Sequence, residues 1–282
     1  MVLLHSLEAL KVWQSNVGWE GMVSGFVPTM GALHDGHASL IREAADRCDV
    51  VVVSVLVNPT QFNDSKDFES YPRTLDDDAA KAAQAGADAV FAPSPEELYD
   101  GVPEAPSVDW GPLTNAFEGA HRPGHFDGVI AVVDLLFQAV RPTVAVFGEK
   151  DLQQVAVVKR LAFERHPTVE IVVGALVRDA SGLALSSRNA RLSSKGVEHS
   201  LALSGALRRL QHAVRLDRPW REALERERDA LSAHPEVTLE YLEAVDPASF
   251  EAKSPGEAGA VHAVIAAHVE GVRLIDNVSL RT

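Results

Sequence analysis

The run Val50-Val51-Val52-Val53-Ser54-Val55-Leu56-Val57 constrains the architecture more than any other stretch of this chain. It is almost continuously apolar, rich in β-branched residues and closed by Asn58-Pro59, and it is too short for a buried helix. A strand that is apolar on both faces needs cover on both, which is the situation of a parallel sheet between two layers of helices. Val144-Ala145-Val146-Phe147 and Val169–Val177 read the same way, and Ala87–Ala92 returns as a strand after an alanine-rich helix that ends at Gly86. Helical stripes lie between them: Ile41, Ala44, Ala45 and Cys48; Val129, Val132, Val133, Leu136, Phe137 and Val140, stopped by Pro142; Val155, Val158 and Ala162. Leu4 to Trp13 reads as a short amphipathic helix at the start. This alternation predicts an α/β fold with a doubly wound, Rossmann-like parallel-sheet N-terminal domain.

The texture changes beyond Val177. Asp179-Ala180-Ser181-Gly182 is a turn signal that can start a hairpin. Helices follow at about Ser194–Val214 and Pro219–Ala233, then three antiparallel strands at Thr238–Val245, Ala260–Glu270 and Val272–Ile275. The expected division is 1–176 for the Rossmann-like domain and 177–282 for a smaller α+β domain that acts as a lid.

Phe26-Val27-Pro28-Thr29-Met30-Gly31-Ala32-Leu33-His34-Asp35-Gly36-His37 carries the clearest chemical signal. It is a strand, a glycine-bearing turn and the start of a helix. Such a turn is expected to point free backbone N–H groups and the positive end of the helix dipole at an anion. His34 and His37 would stand at that mouth, within reach of phosphate oxygens. The bland alternative is one histidine capping the helix and the other in the core or on the surface. Phe147-Gly148-Glu149-Lys150-Asp151 repeats the pattern of strand, glycine turn and charged helix start. Asn58 and Gln61 follow the central strand at its carboxyl end, where α/β sheets place ligands; each could equally be a turn former or an exposed amide. Leu185-Ser186-Ser187-Arg188-Asn189 offers hydroxyls and a guanidinium suited to phosphate. Thr74 reads as a helix cap with Asp76 to Asp78 in the first turn, metal ligation by Asp77 or Asp78 being the alternative. No HExxH and no third ligand near the histidines suggests a resident metal.

Composition narrows the classes. A net charge of −14 argues against a nucleic-acid partner, and most of the excess lies before residue 176. A polyphosphate ligand would therefore need local cations. The single cysteine, Cys48, excludes an internal disulfide framework and reads as a buried structural thiol. No signal-peptide pattern and no apolar run of about 18 residues or more is present, so a cytoplasmic protein without a membrane span is expected.

Six stretches in order resemble the pantoate–β-alanine ligase family: Pro28–His37, Val57–Phe62, Tyr71–Thr74, Arg122–Phe126, Phe147–Gln154 and Leu185–Asn189. They cover most of residues 26–190; the last third matches in pattern more than in motif. The wider group is the HxGH nucleotidyltransferases, relatives of class I aminoacyl-tRNA synthetases. The resemblance implies ATP-dependent condensation of pantoate with β-alanine through a pantoyl adenylate, releasing AMP and pyrophosphate. Met30, Gly31, Ala32, Leu33, His34, Asp35, Gly36 and His37 would then line the ATP site, with His37 as the proton donor. Gly148, Glu149, Lys150 and Asp151 would hold the nucleotide, Lys150 bridging the α-phosphate and the leaving group. Val177 would meet adenine through its backbone, and Leu185, Ser186, Ser187 and Arg188 would clamp the triphosphate. Gln61 and Gln154 would grip pantoate, Gln61 also facing β-alanine. Mg²⁺ would ride on the phosphates, with Asp77 and Asp78 as outer ligands. A homodimer through the first domain is implied.

Leu152 and Arg191 stand where the family commonly has aromatics, Leu56 replaces a frequent Phe, and Thr60 fills a variable slot. None removes an expected polar contact. The competing readings are a sister transferase that activates another carboxylic acid and a non-catalytic ATP-binding regulator.

Overall fold

The computed structural model describes residues 1–281. The chain forms two compact units, Met1–Glu149 with Gln154–Ala175, and Lys150–Gln153 with the residues from Leu176 onward. The first third of the chain runs β1 (Val2–Leu4), α1 (Leu7–Val17), β2 (Ser24–Thr29), α2 (Asp35–Arg47), β3 (Val50–Val55), α3 (Ser65–Glu69), α4 (Leu75–Ala85) and β4 (Ala89–Phe91). Three short helices follow, α5 (Pro95–Tyr99), α6 (Pro112–Asn115) and α7 (Glu118–His121), then α8 (His125–Val140), β5 (Val144–Gly148), α9 (Leu152–Arg165) and β6 (Glu170–Gly174).

All six strands are parallel and lie in the order β1-β4-β3-β2-β5-β6. The doubly wound sheet read from the sequence is therefore observed. Val50 to Val53 are all buried, as a strand covered on both faces requires. Phe26 and Phe137 meet edge to face at 6.4 Å, both fully buried. Each such side chain contributes about 1.5–3 kcal/mol by burial. From β2 the winding runs to β3 and β4 on one side, then crosses to β5 on the other. The switch point thus falls between β2 and β5, and open α/β sheets bind ligands outside the carboxyl ends of strands at that point.

Three expectations are corrected. The first helix starts at Leu7, not Leu4. Val2–Leu4 are strand residues paired with Ala89–Phe91, and the Ser6 hydroxyl caps the helix by accepting from the Ala9 N–H at 3.1 Å. The central strand ends at Val55, where Leu56 N–H bonds the carbonyl of Thr29, the last residue of β2. Cys48, expected to be buried, is half-buried: it ends α2 as its C-cap and packs against the edge of the sheet core. Burial still pushes its thiol up, so it stays protonated and a poor nucleophile.

The second unit holds α10 (Ser194–Arg215), α11 (Trp220–Ser232) and the antiparallel sheet β7 (Val237–Val245), β8 (Val261–Val269) and β9 (Val272–Arg281). Leu203, Leu207 and Leu210 of α10 pack with Leu242 and Ile265 of the sheet. The last strand runs to Arg281, past the expected end at Ile275. Among the described residues no helix is long and apolar enough to cross a membrane.

Candidate active site

The turn after β2 is held almost entirely by side chains. Thr29 Oγ1 accepts from Gly31 N–H at 3.1 Å while donating to the Ser54 carbonyl at 2.7 Å. Asp78 takes the next two amides, Ala32 N–H on Oδ2 at 3.0 Å and Leu33 N–H on Oδ1 at 2.7 Å. His34 is the N-cap of α2 and accepts Gly36 N–H on Nδ1 at 3.1 Å. His37 returns the bond, its Nδ1 accepting His34 N–H at 3.3 Å. The two rings lie 4.1 Å apart at 37°.

This reciprocal cap changes the reading of the motif. The N–H groups of Gly31, Ala32, Leu33, His34 and Gly36, expected to face an anion, are spent on Thr29, Asp78 and the two imidazoles. What the turn presents instead is a pair of oriented rings. Because each Nδ1 accepts a backbone N–H, the neutral form of each ring carries its proton on Nε2, which is then a donor. The bland alternative is half right: His34 does cap the helix, and His37 completes the cap from the third helical position. The pair stands at the carboxyl end of β2, next to β5, whose last residue is Gly148.

The structure places Gln61 close by. Its Nε2 approaches Met30 Sδ at 2.9 Å, and its Oε1 accepts from Asn58 Nδ2 at 3.1 Å. Both amides are buried, at 7 % and 1 % exposure, so neither is the exposed loop residue of the alternative reading. Asn58 also donates to the Gly128 carbonyl and accepts from Thr60 Oγ1 and the Tyr99 hydroxyl, all at 3.0–3.1 Å. Burial pushes the Tyr99 phenol up, and it remains a donor at neutral pH. His125 Nδ1 donates to the Gln61 carbonyl at 2.9 Å, so its Nε2 accepts from Arg122 at 3.0 Å and the ring is neutral. Arg122 and His125 belong to the Arg122–Phe126 stretch, whose role no local pattern disclosed.

Gly128 lets α8 approach this loop. A Cβ there would meet the Thr60 carbonyl and lie 2.5 Å from Gln61 N. Gly128→Ala is expected to destabilise the protein by about 1–3 kcal/mol through overpacking, measured by urea denaturation; an unchanged midpoint would contradict the close approach.

In the second unit, Lys150 is 19 % exposed, with Asp151 Oδ1 3.8 Å from its ammonium. Its carbonyl accepts from Asn277 Nδ2 at 3.2 Å. Asn277 in turn accepts on its carbonyl from Arg178 at 3.3 Å, and Arg178 grips Asp276 through two bonds of 2.7 and 2.8 Å. Arg178 opens the short hairpin expected from Asp179–Gly182, which bridges to Ala184. Val177 is part of it, its carbonyl accepting Leu185 N–H at 3.0 Å. The hairpin leads into Ser186, whose Oγ accepts Arg188 N–H at 3.3 Å and starts a 3-10 turn over Ser187–Arg191. Lys150, Val177 and the Leu185–Arg188 loop thus share one anchored scaffold. Asn277, Arg178 and Asp276 were invisible in the sequence because their partners are far along the chain.

Thr74 is not the expected N-cap by side chain. Its hydroxyl donates instead to Asp78 Oδ2 at 3.2 Å. Asp78 is fully buried, with its oxygens committed to the turn, and is no ligand for an incoming ion. Among the described residues no group of three or more His, Cys, Asp or Glu is placed to hold a metal. Gln154, the other pantoate candidate, lies half-buried in the first turn of α9.

The sequence model of the family described as Pantoate-beta-alanine ligase matches residues 2–279. A pantothenate synthetase of Nocardioides sp. is 46 % identical, the match covering 99 % of this chain and 85 % of the relative. The crystal structure of pantothenate synthetase from Thermus thermophilus superposes with a TM-score of 0.92 at 40 % identity, covering all of both chains. That of pantoate-beta-alanine ligase from Francisella tularensis, complexed with beta-gamma ATP and beta-alanine, gives 0.83 at 33 % identity, covering 100 % of this chain and 98 % of the other.

Proposed function

We infer the reaction from one premise: the chain belongs to the pantoate-beta-alanine ligase family and is a ligase. The proposed chemistry has two steps. A pantoate carboxylate oxygen attacks the α-phosphorus of ATP, the bond to the bridging oxygen breaks, and pyrophosphate leaves. The amine of β-alanine then attacks the acyl carbon of the adenylate. The acyl–oxygen bond breaks, AMP leaves with that oxygen, the amine loses a proton, and pantothenate is the product.

Such a transfer needs alignment and charge neutralisation more than a covalent nucleophile. The Nε2–H groups of His34 and His37 suit phosphate oxygens, with His37 as proton donor to the leaving group. Met30, Gly31, Ala32, Leu33, Asp35 and Gly36 form the surrounding wall of the nucleotide site. Gly148, Glu149 and Asp151 hold the nucleotide, and Lys150 neutralises the α-phosphate and departing pyrophosphate together. Val177 meets the base through its backbone, and Leu185, Ser186, Ser187 and Arg188 clamp the triphosphate. Gln61 and Gln154 hold pantoate, whose hydroxyls match amide donors and acceptors. The Francisella relative binds beta-gamma ATP and beta-alanine, and this chain is given the same two ligands. Mg²⁺ enters with ATP as part of the substrate. We place the reaction in the cytoplasm, where ATP is supplied, in a homodimer.

One observation carries this reading: the reciprocal His34/His37 cap stands at the sheet's switch point, inside a family match that spans the chain. Pyrophosphate release should require ATP, Mg²⁺ and pantoate, and AMP should accumulate catalytically only when β-alanine is added. Release that proceeds equally without pantoate, or with another carboxylic acid in its place, overturns the assignment.

A further inference from the structure

We infer that Asp78 is a positioning residue for the His34/His37 pair, acting through the Gly31–Leu33 turn without touching substrate; this rests on the reaction proposed above. Asp78 lies in the first turn of α4, beside Asp76 and Asp77. Those two neighbours are exposed and complement the helix dipole from solvent. Asp78 is fully buried, and burying a carboxylate is costly unless its oxygens are bonded. Its donors come from elsewhere in the fold: Ala32 N–H and Leu33 N–H, 46 and 45 residues away, with the Thr74 hydroxyl as a third. A carboxylate that accepts two successive amides, one per oxygen, fixes the orientation of both peptide planes.

Those planes need fixing. Ala32 sits at φ +49°, a left-handed conformation that a residue with a side chain adopts only under constraint. Gly31 precedes it at φ +83°, and a Cβ there would lie 2.9 Å from Asp78 Oδ2. Lys81, about one turn further along α4, donates its ammonium to the Leu33 carbonyl at 2.8 Å. Leu33 is thus held at both its N–H and its C=O by side chains of one helix. The next residue is His34, whose own N–H binds His37 Nδ1. The chain of contacts runs from Asp78 and Lys81 through Leu33 to both rings. A small rotation at Leu33 swings the His34 side chain and breaks the reciprocal cap.

Three variants test this: Asp78→Asn, Lys81→Met and, as a control on the exposed side of the same turn, Asp76→Asn. Each is measured for kcat and KM by pyrophosphate release, and for amide hydrogen exchange residue by residue without substrate. Asp78→Asn keeps the shape but turns one acceptor into a donor facing an amide. It should lower kcat by about 10- to 100-fold, the scale of a misplacement of about 1 Å, with KM for pantoate within about threefold. Exchange at Ala32 and Leu33 should quicken at least about tenfold, with β3 and β5 amides unchanged. Lys81→Met, whose side chain is largely exposed and whose folding is not at risk, should lower kcat by about threefold or more. Asp76→Asn should match the wild type.

The inference is overturned if Asp78→Asn matches Asp76→Asn in kcat. It is also overturned if protection is lost throughout the sheet and every KM rises together. If Asp78→Asn does not fold, wild-type kcat and wild-type Leu33 exchange in Lys81→Met overturn it. A wild-type protein that releases no pyrophosphate with pantoate defeats the proposed reaction alone; the exchange measurement needs no substrate and still judges Asp78.

Discussion

Lys150→Met is expected to lower the rate of pantothenate formation at least about 100-fold, the usual cost of removing one group that stabilises transition-state charge. In the proposed reaction, the α-phosphorus step spreads negative charge onto the bridging oxygen and the departing pyrophosphate. The chain itself is acidic, with a net charge of −14, so a cation fixed at the reacting atoms has to supply the neutralisation. Lys150 is suited to this by its placement. Its backbone is tied by Asn277, which is itself bound to the Arg178–Asp276 pair. Its side chain is 19 % exposed, and its ammonium makes a long 3.8 Å approach to Asp151. Methionine keeps the length and apolar stem of the side chain, so folding is expected to be unaffected. Turnover should fall with KM for pantoate little changed, because pantoate is assigned to Gln61 and Gln154. Steady-state kinetics with each substrate varied in turn checks this; turnover within a fewfold of wild type would refute the role of Lys150.

His37→Ala is the second large effect, again a fall in turnover of at least about 100-fold. Two losses combine in it. The Nε2–H donor disappears, and so does the Nδ1 acceptor that holds His34 N–H at 3.3 Å. The second loss is a capping interaction of about 1 kcal/mol, which lowers the melting temperature by only about 2–4 °C in a chain of this size. Activity should therefore collapse at temperatures where the variant is fully folded. Circular dichroism beside the rate assay separates the two; near-normal turnover would remove His37 from the machinery.

The sequence revealed the elements that are locally coded. Val50–Val53 could hardly be anything but a doubly covered strand, and the stripe from Val129 to Val140 could hardly be anything but a helix with a buried face, which packs Phe137 on Phe26 of β2. The three-residue strand Val2–Leu4 was hidden because so short an edge carries no period, and its partner is β4. The end of β9 was hidden for another reason. Asp276 and Asn277 break the apolar pattern, yet they are buried because Arg178 and Lys150 meet them from far along the chain. The candidate residues of the two units divide along the same line. The histidines, Lys150, Gln61 and the Ser186–Arg188 loop announce themselves by residue type beside glycine turns and strand ends. Asp78, Asn58, His125 and Asn277 do not, since their work is to hold those residues, and that depends on contacts between distant segments. Asp78 had one local trace: Thr74 stands one helical turn before it, and the two side chains are hydrogen-bonded.

The central claim is that pantoate is activated by a bond from its carboxylate to the α-phosphorus. Pantoate labelled with ¹⁸O in its carboxylate, incubated with enzyme, MgATP and β-alanine, reports on this directly by mass spectrometry of the products. One labelled oxygen should appear in the phosphate of AMP, none in pyrophosphate, and one should remain in pantothenate. Unlabelled AMP, or label in inorganic phosphate alongside ADP, would contradict attack at that phosphorus.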